Sequence, residues 1–163
     1  MMTPRNLGVM AVALGVALLA GCGATDPVQP DQDLQLQPGY GIAAVVFDTL
    51  DALSVSTIKS PDTKVEINVG YVDKGVHMFV YAVPAGSYCL TRFNTDFYRF
   101  YQDDPTHGIC FDVIAGKVAY SGNLAPRAYG KAVRTDQDYY WPEFEKSFKQ
   151  DYPKLARYPI VTP

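Results

Sequence analysis

From residue 39 to residue 124 the chain never runs far without a turn. Ser60-Pro61-Asp62, Asp73-Lys74-Gly75, Pro84-Ala85-Gly86 and Ala115-Gly116-Lys117 each interrupt a stretch of β-branched or aromatic residues. Stretches so short and so rich in Val, Ile, Thr, Tyr and Phe suit strands rather than helices, with Gly, Pro and Asp supplying the turns. Gly41 to Phe47 is continuously apolar, which suits a central strand. Ser54 to Lys59 follows, and Lys64 to Val69 then alternates, which predicts Val65, Ile67, Val69 and next Tyr71 on one buried face. Val76 to Val83, Tyr88 to Phe93, Ile109 to Ile114 and Val118 to Leu124 complete the set. About seven strands without crossover helices predict a mainly β fold, an antiparallel sandwich.

The C-terminal part changes period. Tyr140, Phe144, Phe148, Tyr152 and Leu155 recur every third or fourth residue, one face of a single α-helix docked on the sandwich. Pro142 suits its first turn and Pro153 its end. The expected organisation is a sandwich over 39–130 and a helical extension over 131–163. Charge excludes one class of partner. Residues 23–116 carry 5 basic and 12 acidic side chains, and 117–163 carry 8 and 5, a balance hostile to nucleic acid.

Ahead of the domain, Arg5 precedes an uncharged apolar run from Leu7 to Ala20 that closes on small residues. That is the layout of a secretory signal, and 14 residues of helix span only ~21 Å, short of the ~30 Å hydrocarbon core. Leu19-Ala20-Gly21-Cys22 resembles a bacterial lipobox. The resemblance implies that residues 1–21 are a cleaved lipoprotein signal peptide and that Cys22 is the lipidation site, its thiol and amine carrying acyl chains. It implies a cell-envelope protein anchored in a membrane through its N-terminal lipid. Gly23 in place of Asp points to the outer membrane, with the domain in the periplasm. Loss of the leader removes Arg5, so the net charge of −3 becomes −4. Residues 22–38, rich in Gln, Asp and Pro, are expected to form a flexible tether reaching up to ~55 Å.

Two cysteines then remain, and in an oxidising compartment an even pair points to a disulfide. Cys89 lies opposite the Tyr88 and Leu90 face, and Cys110 opposite the Ile109, Phe111 and Val113 face, so both thiols leave the more polar side of their strands. Two free thiols are the alternative.

Val83-Pro84-Ala85-Gly86-Ser87-Tyr88 and the later Phe111-Asp112-Val113-Ile114-Ala115-Gly116-Lys117-Val118-Ala119-Tyr120-Ser121-Gly122-Asn123-Leu124 are similar to strings in a family of uncharacterised bacterial lipoproteins. Those carry a small immunoglobulin-like sandwich of the carboxypeptidase-regulatory or transthyretin type. The resemblance covers residues 40–125 and implies that fold. It transfers no catalytic residues.

The residues themselves offer little chemistry. There is no Gly-x-Ser-x-Gly elbow and no His-Glu-x-x-His helix. Residues 70–75 have the glycine spacing of a phosphate loop but lack its Lys and Ser/Thr. No catalytic residue, cofactor or metal site is expected, and the chain reads as a non-enzyme. The richest segment is the loop 95–108, where Tyr98, Arg99, Tyr101, Asp103 and His107 mix aromatic platforms with polar groups. These residues are the candidate contacts to a protein partner in the envelope, with a glycan or small ligand as the alternative. Packing of Tyr98 and Phe100 as a further strand competes with both. A metal at Asp103, Asp104 and His107 is outweighed by a solvated turn. The expected function is non-catalytic binding or scaffolding.

Overall fold

The computed structural model describes residues 25–95, 99–101, 109–127, 131–134 and 137–161. In chain order its elements are β1 (Tyr40–Thr49), β2 (Leu53–Lys59), β3 (Glu66–Asn68), β4 (Gly75–Pro84), β5 (Gly86–Thr95), β6 (Arg99–Tyr101), β7 (Ile109–Val113), β8 (Val118–Arg127), β9 (Lys131–Arg134), α1 (Gln137–Asp151) and β10 (Ile160–Val161). The protein is mainly β, with two five-stranded sheets and one helix. Sheet A has the order β10-β8-β1-β4, with β9 also on β8; sheet B has the order β3-β2-β5-β6, with β7 also on β5.

Alternation along each strand builds two cores. Ala43, Val45 and Phe47 of β1 point between the sheets, where they meet Ile58 of β2, Tyr81 and Val83 of β4, Tyr88, Leu90 and Phe93 of β5, and Phe111 of β7. Ile42, Ala44 and Val46 point the other way, into a second core closed by Phe144, Phe148, Tyr152 and Leu155. The unbroken apolar run of β1 is thus the signature of a strand buried on both faces. The helix is docked through the stripe its spacing predicts.

Several expectations need correction. Sheet A is mixed, since β8 runs parallel to both β1 and β10 while β4 and β9 pair antiparallel. There are ten strands among the described residues, not about seven. The three additions, β6, β9 and β10, are only two to four residues long and are held by pairing to longer neighbours. Tyr71 is 63% exposed, because the strand predicted to carry it inward shortens to β3 and leaves only Ile67 fully buried. Pro142 sits in the second turn of α1, which begins at Gln137.

The largest difference concerns the tether. From Val28 onward the segment lies on the protein instead of in solvent. Val28 is buried in the second core and donates its N–H to the Val80 carbonyl at 2.7 Å. Leu34 and Leu36 pack against the same core. Arg157 pairs with Asp33 at 2.8 Å, and Lys154 and Arg157 donate to the carbonyls of Asp31 and Leu34. The Tyr158 hydroxyl donates to the Leu34 carbonyl at 2.9 Å and accepts from the Leu36 N–H at 3.2 Å. Three apolar side chains without a regular period are enough to hold the segment where a preformed apolar face receives them.

Cys89 and Cys110 face each other directly in the β5–β7 ladder, Cα atoms 4.0 Å apart, and are joined by a disulfide. Tyr88 and Leu90 turn inward on either side of Cys89, as the parity requires.

Candidate functional site

A groove of about 350 Å³ opens between α1 and the outer face of sheet A. Val46, Val76, Met78 and Phe144 form its apolar floor, and Asn123, Glu143, Ser147 and Asp151 supply its polar rim. The volume lies at the small end of the range for ligand pockets.

Helix placement creates the rim. Phe144 stacks on Tyr120 with ring centres 4.0 Å apart and planes 9° from parallel. Phe148 and Tyr152 continue the row at 5.8 and 5.5 Å. These rings recur every fourth residue and fasten one stripe of α1 to the sheet. Glu143, Ser147 and Asp151 also recur every fourth residue, one position earlier, so they line the shoulder of the helix beside β4. Glu143 and Asp151 are separated by ~12 Å of helical rise and stand at opposite ends of the groove. Among the described residues neither has an ion-pair partner.

A β-bulge brings in Asn123. Ala44 pairs with Tyr120 but Val46 pairs with Asn123, so β8 carries one extra residue across this step. Gly122 takes it up at φ +73°, a conformation costly for any residue with a Cβ. The Ser121 hydroxyl accepts the Val46 N–H at 3.1 Å, standing in for a ladder bond. The extra residue reverses the alternation of β8, so Tyr120 and Asn123 both face α1 while Leu124 turns into the inter-sheet core. Tyr120 donates its phenolic hydrogen to the Asn123 side-chain oxygen and fixes that side chain at the groove.

Burial sets the electrostatics beneath. Tyr152 is held above the usual phenol range, by desolvation first and then by the charge of Asp151. Tyr81 is raised further, again by burial with Tyr152 second.

None of the described site residues singled out from sequence lines this groove. Cys22, Tyr98, Asp103 and His107 fall outside the described residues. Arg99 and Tyr101 are in β6, opposite Asn94 and Arg92 of β5. That strand belongs to sheet B, across the inter-sheet core from the groove. Part of the predicted recognition loop is therefore a further strand. Two signals in the sequence do point to the groove: a glycine inside a strand, Gly122 between Ser121 and Asn123, and the four-residue repeat of Glu143, Ser147 and Asp151 beside the aromatic stripe. Among the described residues, no group of three or more His, Cys, Asp or Glu side chains is placed to hold a metal ion. No protein-family model, no curated protein and no solved structure matches the chain.

Proposed function

We propose that this chain is a lipid-anchored envelope protein whose sandwich, of the immunoglobulin-like or transthyretin-like kind, acts as a non-catalytic binding module. Residues 1–21 serve as its signal peptide, Cys22 carries the acyl chains, and the domain faces the periplasm from the outer membrane. The observation that carries the binding reading is the α1 groove, with its apolar floor between two carboxylates at its ends. Such a site suits an apolar side chain flanked by Lys or Arg on a protein partner, because desolvation drives the apolar contact and the carboxylates reject anionic competitors. The lipobox-like residues Leu19 to Cys22 support the address.

A photo-crosslinking side chain placed at Ser147 in the native envelope tests the site, with one at the exposed Asp112 of sheet B as control. The expected result is an adduct with one dominant protein from position 147 alone, lost when Glu143→Lys and Asp151→Lys reverse the rim. Equal labelling from both positions, or an adduct indifferent to the reversal, would contradict it.

A further inference from the structure

Because residues 28–38 are fastened to the fold, the free chain between a lipidated Cys22 and the domain is short. Six peptide steps separate Cys22 from Val28, so the Cys22 Cα lies within ~22 Å of Val28 and within ~27 Å of Val80, which holds Val28. A domain on so short a leash cannot stand clear of the lipid, and one of its surfaces must meet the headgroups.

The course of the chain says which. Val28 is bonded to Val80, and eleven residues later the Gly39 carbonyl accepts the Ala85 N–H. The segment therefore advances in the direction of β4, and its line carried back beyond Val28 heads toward the Gly75 end of that strand. At that end the β1–β2 and β3–β4 connections meet. Thr49 pairs with Gly75 and Asp48 with Val76, the Thr49 hydroxyl donates to the Asp73 carbonyl at 2.8 Å, and Leu53 bridges to Val72. Three large apolar side chains stand out there, Leu50 at 58%, Tyr71 at 63% and Val76 at 64% exposure; Ile114, at 44%, is at the opposite end beside Tyr40. Val76 is ~13 Å along β4 from Val80, inside the reach of the leash.

We infer that the Leu50–Tyr71–Val76 tip rests in the headgroup region of the membrane that holds Cys22. The inference relies on the lipid-anchor reading above. Two aliphatic side chains offer apolar area, and an exposed tyrosine has the amphipathic form enriched at lipid–water boundaries. The flanking charges decide the kind of lipid. Asp48, Asp51 and Asp73 outnumber Lys74, so the tip prefers a zwitterionic surface to an anionic one. In this pose the mouth of the α1 groove, which Val76 also lines, opens close to the lipid surface.

The test uses the acylated protein in zwitterionic phosphatidylcholine vesicles whose upper acyl carbons carry bromine, with Tyr71→Trp compared with the native chain. Trp141, packed against Tyr120 and Phe144, is the internal control. A ring ~5–10 Å into the boundary lies within reach of the bromines, so the emission added by Tyr71→Trp should fall about twofold. Adding Leu50→Asp, or replacing part of the lipid with an anionic one, should restore it. Acyl mass is measured on the same samples. An acylated Tyr71→Trp protein quenched no more than the native chain would overturn the tip contact while leaving the anchor intact. Absence of acyl mass on protein from the native host would overturn both.

Discussion

Gly41 shows how much one missing carbon decides. A Cβ there would lie 2.3 Å from the Ile114 carbonyl oxygen and 2.7 Å from a Val113 methyl carbon, and the oxygen cannot move without displacing the crossing from sheet B to sheet A. Gly41→Ala is expected to cost ~1–3 kcal/mol, read as a lower urea midpoint with an unchanged slope. An unaltered midpoint would mean that the crossing is looser than described. Three tyrosines set the alkaline limit. Tyr81, Tyr88 and Tyr152 are each raised above the ordinary value of 10.0, in every case chiefly by burial. A phenol with a raised folded value holds its proton longer in the fold than in the unfolded chain. Its contribution to stability is complete below the unfolded value of ~10 and is lost as pH rises through the folded value. Urea midpoints should thus fall steeply above pH ~10, together with the appearance of phenolate absorbance. Phenolate absorbance accounting for all twelve tyrosines at pH ~12 with no fall in the urea midpoint would contradict the burial.

Among the elements, the disulfide and the N-terminal segment have the clearest energetic consequences. The bridge closes 21 residues between β5 and β7. Replacing Cys89 and Cys110 by Ser should remove ~3 kcal/mol, measured by equilibrium unfolding. The docked segment contributes Val28, Leu34 and Leu36 to the second core, so deleting residues 25–38 should cost ~2–5 kcal/mol and lower Tm accordingly. A segment that were only a tether would leave Tm unchanged. Elements of this scale divide into those written locally and those that are not. β1, β4 and β5 run within two or three residues of the stretches marked out by composition, because strand propensity and turn residues act over a few positions. The pairing of Cys89 with Cys110 was equally legible, from an even pair of cysteines supported by strand parity. β10 was not, because Ile160 and Val161 make a strand only where β8 offers an edge. Nor was the docking of Val28 to Pro38, whose polar composition conceals three apolar contacts that become favourable once sheet A and α1 have formed a face.

At the scale of the molecule, the two sheets enclose one core and α1 encloses another, and the candidate groove opens beside the second. The aromatic row of α1 could be read as a docking stripe. The groove beside it could not, since it depends on a one-residue bulge at Gly122 and on the parallel pairing of β8 with β1, both set by long-range contacts. Chain length acts here as well. A 16-residue spacer held in solution would let the domain roam, whereas residues 28–38 fastened to the fold would leave a lipidated Cys22 within ~22 Å of Val28. On the proposed reading, location and orientation would both follow from one anchored cysteine. Mass spectrometry of the N-terminal peptide, from protein extracted out of its native membranes, examines that anchor most directly. The expected peptide begins at Cys22 and carries diacylglyceryl mass, with residues 1–21 gone. An unmodified Cys22 within a chain that still begins at Met1, recovered from the soluble fraction, would contradict the account.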